Sequence, residues 1–485
     1  MPNANNAAQT QQSHHRVEPV AEDLGRRFRA AGFRLALVGG SVRDTLLGRL
    51  GHDLDFTTDA RPEQVLKILR PWADAVWEVG IAFGTVGARK DVPATPAGPG
   101  GEAARSFQVE VTTYRSEAYD RASRKPEVSY GDTLEEDLVR RDFTVNAMAV
   151  ALPGNDFVDP YGGLDDLAAR TLRTPGTPEA SFSDDPLRML RAARFAAQLD
   201  FEVAPEVVAA MTAMADRIGI VSAERVRDEL NKLILSDHPI KGLRLLVDTG
   251  LADRVLPELP ALRLERDEHF RHKDVYEHSL TVLEQAIDLE EDGPDLILRL
   301  AALLHDIGKP KTRRFEPDGR VSFHHHEVVG AKLTKARMTA LKYPNDQIKD
   351  VSRLVELHLR FHGYGSGEWT DSAVRRYVRD AGPLLARLHK LTRSDSTTRN
   401  QRKAAALSRT YDGLEGRIAE LQEREELDAI RPDLDGNQIM RILDVPPGPV
   451  VGKAYQHLLE LRLENGPLGE EAAVTALREW WASQA

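Results

Sequence analysis

Residues 37–56, LVGGSVRDTLLGRLGHDLDF, constrain the fold more than any other stretch of the chain. An apolar run stops on Gly39-Gly40, a short amphipathic run follows, and Asp53 and Asp55 then flank a single Leu54. The pattern predicts a strand, a sharp turn, a helix and a second strand. Side chains alternate across a strand, so Asp53 and Asp55 face one side while Leu54 packs behind them. Two carboxylates a few ångströms apart repel unless cations lie between them. A pair of magnesium ions removes that cost: one lowers the pKa of an attacking hydroxyl and the other steadies a leaving pyrophosphate. Such aspartate pairs also occur in ordinary turns, so the surroundings carry weight. Gly39, Gly40 and Ser41 precede a helix start, where free N–H groups and the helix dipole favour a phosphate. Arg43 sits in the first turn and can hold phosphate oxygens. Glu110, in FQVEVTTY, is a third acid on a predicted strand. It either completes the metal site or is an exposed strand carboxylate.

The 485 residues are too many for one ordinary core, and two to four domains are expected. At 41% hydrophobic and 29% charged residues the composition is that of a soluble globular protein. There is no apolar run long enough to span a bilayer, so no membrane partner is expected. The first twenty residues are polar, lack the apolar core of a secretory signal, and are expected to form a disordered tail. With no cysteine, disulfides and Cys-based zinc sites are excluded, and any metal must sit on His, Asp or Glu. These features suit the cytoplasm. The net charge of −11 argues mildly against a polyanionic partner. Locally the balance reverses: residues 385–417 carry eight Lys or Arg against three acids. That segment is either a solvated helical face or a strip that tracks a phosphate backbone.

Residues 25–165 alternate strand and helix signals, with FRLALVGG, HDLDFTT, FGTVGAR and FQVEVTTY as strands. A Pro/Gly/Ala loop at 91–104 separates two of them. From about residue 184 the spacing is helical, as in DDPLRMLRAARFAAQL and SAERVRDELNKLIL.

LVGGSVRDTLLGRLGHDLDF closely resembles the first motif of the class II tRNA nucleotidyltransferase and bacterial poly(A) polymerase family. EEDLVRRDFTVNAMAV, DPYGGLDDLAARTLRT, DDPLRMLRAARFAAQL and SAERVRDELNKLIL continue the resemblance in the family's order over residues 25–240. The resemblance implies an α/β nucleotidyltransferase head of the polymerase beta type, a mixed sheet with helices, followed by an all-α neck and body. It implies that Asp53, Asp55 and Glu110 are catalytic, with magnesium on Asp53 and Asp55. It implies that Gly39, Gly40, Ser41, Arg43, Arg141, Asp142, Asn146, Asp185, Arg188, Arg191 and Arg194 bind nucleotide, with Asp142 and Asn146 on the ribose. Asp185 and Arg188 stand three residues apart and would share a helix face. As a pair they match cytosine and adenine: the carboxylate accepts from the exocyclic amino group and the guanidinium donates to the ring nitrogen. Guanine and uracil present the opposite pattern and leave buried groups unpaired. The alternative for the pair is a surface ion pair. The family's usual Glu-Asp is Asp184-Asp185 here. EAYDRASRKPEVSYGDTLEEDL resembles the loop that the family uses for the final A, which points to complete CCA addition. Glu224 and Arg225 match a further motif with a supporting role.

AALLHDIGKP sets His305 beside Asp306 at a predicted helix end, with His278 upstream and Asp395 downstream. His326 and His358 fall between and are auxiliary candidates. His and carboxylate from several helices can bind a divalent transition metal and activate water. The pattern resembles the HD phosphohydrolase superfamily, which implies an all-α HD domain acting on phosphomonoesters or 2′,3′-cyclic phosphates. The alternative is a helical scaffold with idle histidines. The expected division is a tail (1–20), head (21–165), neck and body (166–265), HD domain (266–410) and helical C-terminal region (411–485). The expected partners are the tRNA 3′ end, CTP and ATP. The rivals are a poly(A) polymerase, an A-only or CC-only enzyme, and a protein-modifying nucleotidyltransferase with an HD domain.

Overall fold

The glycine turn and its flanking elements form as the spacing predicts. The computed structural model describes residues 19–49, 51–93, 104–118, 127–263, 274–317, 321–361, 369–396, 401–425 and 430–484. Most of the expected tail, the Pro/Gly/Ala segment 94–103 and the loop tip 119–126 lie outside them. The tail ends earlier than expected, because a helix starts at Pro19 and buries Val20, Ala21, Leu24 and Phe28. The chain divides into two compact units, Met1–Val255 and Leu256–Ala485.

The first unit opens with helix α1 (Pro19–Ala30), strand β1 (Leu35–Val38), helix α2 (Gly40–Leu46) and strand β2 (Asp53–Thr58). Helix α3 (Pro62–Leu69), β3 (Ala75–Trp77), β4 (Thr85–Val92) and β5 (Arg105–Thr113) follow. A hairpin of β6 (Arg115–Ala118) and β7 (Glu127–Tyr130) leads to α4 (Leu134–Val139), β8 (Ala149–Leu152) and β9 (Asp156–Val158). One mixed sheet takes the order β3-β4-β5-β2-β1-β8-β9. Only β2 and β5 run parallel, with Asp55 in register with Glu110. Strand β2 is therefore central, and Leu54 and Phe56 anchor it with 7% and 1% exposure. Ala36 and Val38 of β1 share a core with Leu138, Ala147 and Ala149.

The rest of this unit is helical: α5 (Gly163–Ala168), α6 (Pro178–Asp184), α7 (Leu187–Leu199), α8 (Pro205–Met214), α9 (Ala223–Ile234), α10 (Pro239–Asp248) and α11 (Ala252–Val255). The predicted helix over residues 184–199 is broken. Asp185 is extended (φ −141°, ψ 102°) and Pro186 starts the next helix, because proline disfavours helical geometry in the residue before it. Asp185 and Arg188 do not share a helix face.

The second unit is built from α12 (Val275–Asp288), α13 (Leu296–Leu304), α14 (Lys309–Thr312), α15 (His326–Ala340), α16 (Asn345–Leu357), α17 (Asp371–Ala381) and α18 (Leu385–Asp395). Then come α19 (Gln401–Glu425), α20 (Gly436–Leu443), α21 (Pro449–Asn465) and α22 (Glu470–Ala482). Helix α19 runs unbroken through the boundary suggested at 410/411. The last three helices enclose a core of Leu434, Ile439, Leu443, Ala454, Leu458, Ala473 and Leu477.

Candidate active site and metal centre

In the first unit a cleft of about 870 Å³ runs from the sheet to the helices that follow it. Gly39, Gly40, Arg43, Asp55, Arg141, Asp142, Asn146, Asp185, Arg188, Arg191 and Arg194 all line it. The sequence thus named most of one wall before the fold was known. Nine lining residues are Arg or Lys, against four aspartates, so the cleft is cationic inside a net-acidic chain.

The acids sit where alternation predicts. Asp53 and Asp55 leave the same face of β2, and Glu110 leaves the matching face of β5 beside Asp55. Burial and then the charge of Glu110 push the Asp55 carboxyl above its ordinary value, Arg141 opposing and Asp53 adding. Asp55 thus stands beside two like charges, and a divalent cation fits that grouping. Ser41, expected at the nucleotide, bonds to the β2 backbone. Its hydroxyl donates to the Asp53 carbonyl at 3.1 Å and accepts from the Asp55 N–H at 2.9 Å. It clamps the β2 backbone between the two acids.

Gly39 turns with φ +70°, which favours glycine, and an added Cβ would stand 2.9 Å from Arg141 Nη1. Arg43 is buried, holds Asp44 with two hydrogen bonds, and donates to Asn146 Oδ1 at 2.5 Å. Asn146 in turn donates to Asp142 at 2.9 Å, and Arg191 donates to the other Asp142 oxygen at 2.8 Å. Burial alone would raise the Asp142 carboxyl, but Arg191 and Asn146 hold it well below the usual carboxylate range.

Asp185 and Arg188 both face the cleft, each fixed by another element. Asp185 accepts from Leu187 N–H at 3.1 Å and from Arg225 at 2.7 Å. Arg188 donates to Ser181 Oγ at 2.9 Å and to the Arg140 carbonyl. Arg225, expected only to support, thus reaches across from α9 to hold the first of the pair.

Glu229 and Phe195 were missed. Glu229 is 5% exposed and pairs with Arg194 at 2.7 Å and Arg191 at 3.8 Å. Burial pulls the Arg194 guanidinium down to about 10, Glu229 opposing. The signal was present: Glu229 interrupts the buried stripe Val226, Leu230, Leu233 of α9. Phe195 lies under three guanidinium groups, with Arg194 4.0 Å, Arg43 5.2 Å and Arg191 5.5 Å from its ring centre. Phe83 also lines the cleft, is 53% exposed, and its carbonyl accepts from Arg115.

In the second unit five elements bring the other cluster together. His278 is on α12, His305 and Asp306 end α13, His326 opens α15, His358 ends α16 and Asp395 ends α18. His278 Nε2 is 2.9 Å from Asp395, and His305 Nε2 is 3.2 Å from Asp306. His326 Nε2 is 3.2 Å from the same carboxylate. His305, His326 and His358 each direct Nδ1 to a carbonyl of their own helical turn, at 2.6–2.8 Å. That contact aims Nε2 into the cluster. Among the described residues those three buried Nε2 atoms make no hydrogen bond of acceptable geometry, despite the nearby carboxylates. Imidazole nitrogens converging on buried carboxylates fit a divalent metal. Burial and then His305 pull the His358 imidazole down to about 4, which leaves Nε2 a lone-pair donor.

Four of the eight basic residues in the strip at 385–417 are paired with acids. Arg387 pairs with Asp295, Lys390 with Glu291, Arg393 with Asp412 and Glu415, and Arg417 with Asp371. Asp295, Glu291 and Asp371 come from outside the strip and Asp412 and Glu415 from within it, which weakens those four residues as a phosphate track.

Residues 35–173 match the family model of the poly A polymerase head domain, and 200–262 that of the probable RNA and SrmB-binding site of polymerase A. Residues 275–400 match the HD domain. An A-adding tRNA nucleotidyltransferase of Deinococcus radiodurans is 38% identical over 359 residues, covering 72% of this chain and 80% of that one. A CCA-adding enzyme of Streptococcus suis is 30% identical over 451 residues, covering 92% and 93%. A Bacillus stearothermophilus CCA-adding enzyme crystallised with CTP shares the fold, with a TM-score of 0.65, 24% identity and coverage of 96% and 98%. With acids, cleft and helical units in the expected places and relatives aligned over most of both chains, this protein belongs to the family of CCA-adding and A-adding tRNA nucleotidyltransferases.

Proposed function

We propose that the first unit adds or repairs the 3′-terminal CCA of tRNA, using CTP and ATP without a nucleic-acid template. The observation that carries this reading is that one cationic cleft holds Asp55 at one point and the Asp185–Arg188 pair at another. Asp53 and Asp55, with Glu110 beside them, would hold magnesium, which acidifies the attacking RNA 3′-hydroxyl and neutralises the leaving pyrophosphate. The chain's own residues do the rest. Arg43, Arg141 and the Gly39-Gly40 backbone receive the triphosphate. Asp142 and Asn146, locked by Arg191 and Arg43, meet the ribose hydroxyls. Asp185 accepts from the base amino group while Arg188 donates to the ring nitrogen, so C and A pair and G and U do not. No side-chain nucleophile is required.

A second reading, addition of A alone, is favoured by the Deinococcus relative's name. Transcripts ending before CCA, after C and after CC, offered CTP, ATP or both, separate the two. Completion of all three to CCA supports the proposal. Extension of only the CC transcript by one A assigns the A-adding role, and long A-tails assign poly(A) synthesis.

We also propose that the second unit holds a divalent transition metal on His278, His305, Asp306 and Asp395 and hydrolyses phosphomonoesters or 2′,3′-cyclic phosphates. The support is the orphaned Nε2 atoms. Such ends arise on damaged RNA, so both activities serve tRNA repair. Loss of hydrolysis in His305→Ala, with CCA addition kept, is the expected result.

A further inference from the structure

We propose that Phe83 is the stacking platform for the 3′-terminal base of the RNA that receives the nucleotide. This rests on the proposed reading in which the RNA 3′-hydroxyl reacts at Asp53 and Asp55.

That reading gives each part of the incoming nucleotide a binding residue, and gives the RNA end none besides the acids. Phe83 lines the same cleft, beside Thr112 and Arg115. The register of the sheet places it. Asp55 is opposite Glu110, and two residues further along the same strands Thr57 is opposite Thr112, which is in turn opposite Thr85. That step is about 7 Å along one face of the sheet. Thr85 Oγ1 and Thr112 Oγ1 are 2.9 Å apart, and Arg115 joins Thr85 Oγ1, at 3.2 Å, to the Phe83 carbonyl. Phe83 is thus tied to the row next to the acids. Gly39 lies toward the other end of β2, because β1 runs antiparallel to it with Leu37 opposite Phe56. A nucleotide whose 3′-oxygen is at the acids can therefore lay its base toward Phe83 without crossing the triphosphate.

Two aromatic rings line the cleft among the described residues. Phe195 is 5% exposed beneath its guanidinium groups, whereas Phe83 is 53% exposed. The turn that carries Phe83 (Ile81–Phe83) is braced at both ends. Phe83 N–H donates to the Gly80 carbonyl and Gly84 N–H to that of Ile81, each at 2.9 Å. The Gly84 carbonyl accepts from Thr113 N–H of β5 at 2.9 Å. An open aromatic ring on a fixed turn inside a cationic groove is how single-stranded nucleic acid is held without regard to sequence, since every base has a face to stack. That suits an RNA end whose terminal base changes with each addition, where hydrogen-bond readout would reject some ends.

The test compares a transcript ending in CC with one whose terminal nucleotide lacks its base, both extended with ATP. On the CC transcript Phe83→Ala is expected to lower kcat/KM for RNA by about tenfold or more, through the KM for RNA, with the KM for ATP unchanged. Phe83→Trp should keep the unsubstituted value. On the abasic transcript Phe83→Ala and the unsubstituted chain should be equal. The same loss on both transcripts, or no loss on either, would overturn the inference while leaving the reading of the acids intact. Failure of the unsubstituted chain to extend the CC transcript would overturn that reading and the inference with it. Thermal melting checks that the variants fold, and Phe83→Leu, which keeps apolar bulk without an aromatic face, repeats the comparison should Phe83→Ala melt early.

Discussion

Arg225 is the residue whose role changed most between sequence and structure. It donates to one Asp185 oxygen at 2.7 Å from a separate helix, while the Leu187 N–H holds the other at 3.1 Å. Removing it should leave catalysis possible but the base contact loose. Arg225→Ala is expected to cut discrimination of CTP and ATP against UTP and GTP by about tenfold, the cost of one weakened charge-assisted hydrogen bond. Competition assays with the four triphosphates read this directly; unchanged selectivity with unchanged KM would place the base elsewhere. Asp142 gives a stability test. Its carboxyl is held well below the ordinary value, chiefly by Arg191 once burial is overcome. A depressed folded pKa contributes stability above the unfolded value near ~3.9 and loses it as pH falls through the folded value. Asp142→Asn should therefore destabilise the head at pH 7 by on the order of 2 kcal/mol. The figure is below that of a fully buried pair because the Arg191 side chain is 34% exposed. The gap from the unsubstituted chain should narrow at pH 3, as urea melts at both pH values would show. Asp53 and Asp55 stood out by their alternate spacing, whereas Asp142 and Asp185 were singled out through the family resemblance. Glu229 was less so: a lone acid in an apolar stripe shows that something is paired there, but not with which residue.

At the level of elements, alternation located β1, β2, β4 and β5, and with them the face that bears the acids. It could not supply the pairing of Asp55 with Glu110, since parallel strands far apart in sequence leave no local mark of register. The short strands β3, β8 and β9 were also invisible, being three or four residues long. The break at Asp185-Pro186 was legible from the proline, yet the helical spacing on both sides concealed it. The approach of α14 to α15 belongs to the same class. An added Cβ at Gly308 would collide with the His326 carbonyl oxygen and press on Gly330 N. Gly308→Ala should force the two helices apart and displace His326, costing about 1–3 kcal/mol of stability. The expected reading is a lower melting temperature together with loss of bound metal, while CCA addition by the head persists. Full metal loading in a stably folded Gly308→Ala chain would mean that the His326 helix is not fixed by this contact.

On the scale of the whole molecule, two sites of different ligand chemistry share a chain of net charge −11. The head gathers cations around three acids on an open strand face. The second unit buries its carboxylates among imidazoles, with His305 at 0% and Asp306 at 1% exposure. An oxygen-only site favours magnesium, whereas imidazole donors favour transition metals. The two activities should therefore separate by metal as well as by mutation. After chelation, Mg²⁺ alone should restore nucleotide addition and leave phosphoester hydrolysis low. Added Mn²⁺ or Ni²⁺ should restore hydrolysis. Asp53→Ala should lower CCA addition by about a thousandfold or more, equivalent to several kcal/mol of transition-state stabilisation. Hydrolysis of a 2′,3′-cyclic phosphate should stay unchanged in that variant, and His305→Ala should give the reverse. If either substitution abolished both activities, the head and the helical unit would have to act through one shared site. Nothing in their ligand chemistry favours that, because an acid pair on a strand and a histidine row among helices call for different ions.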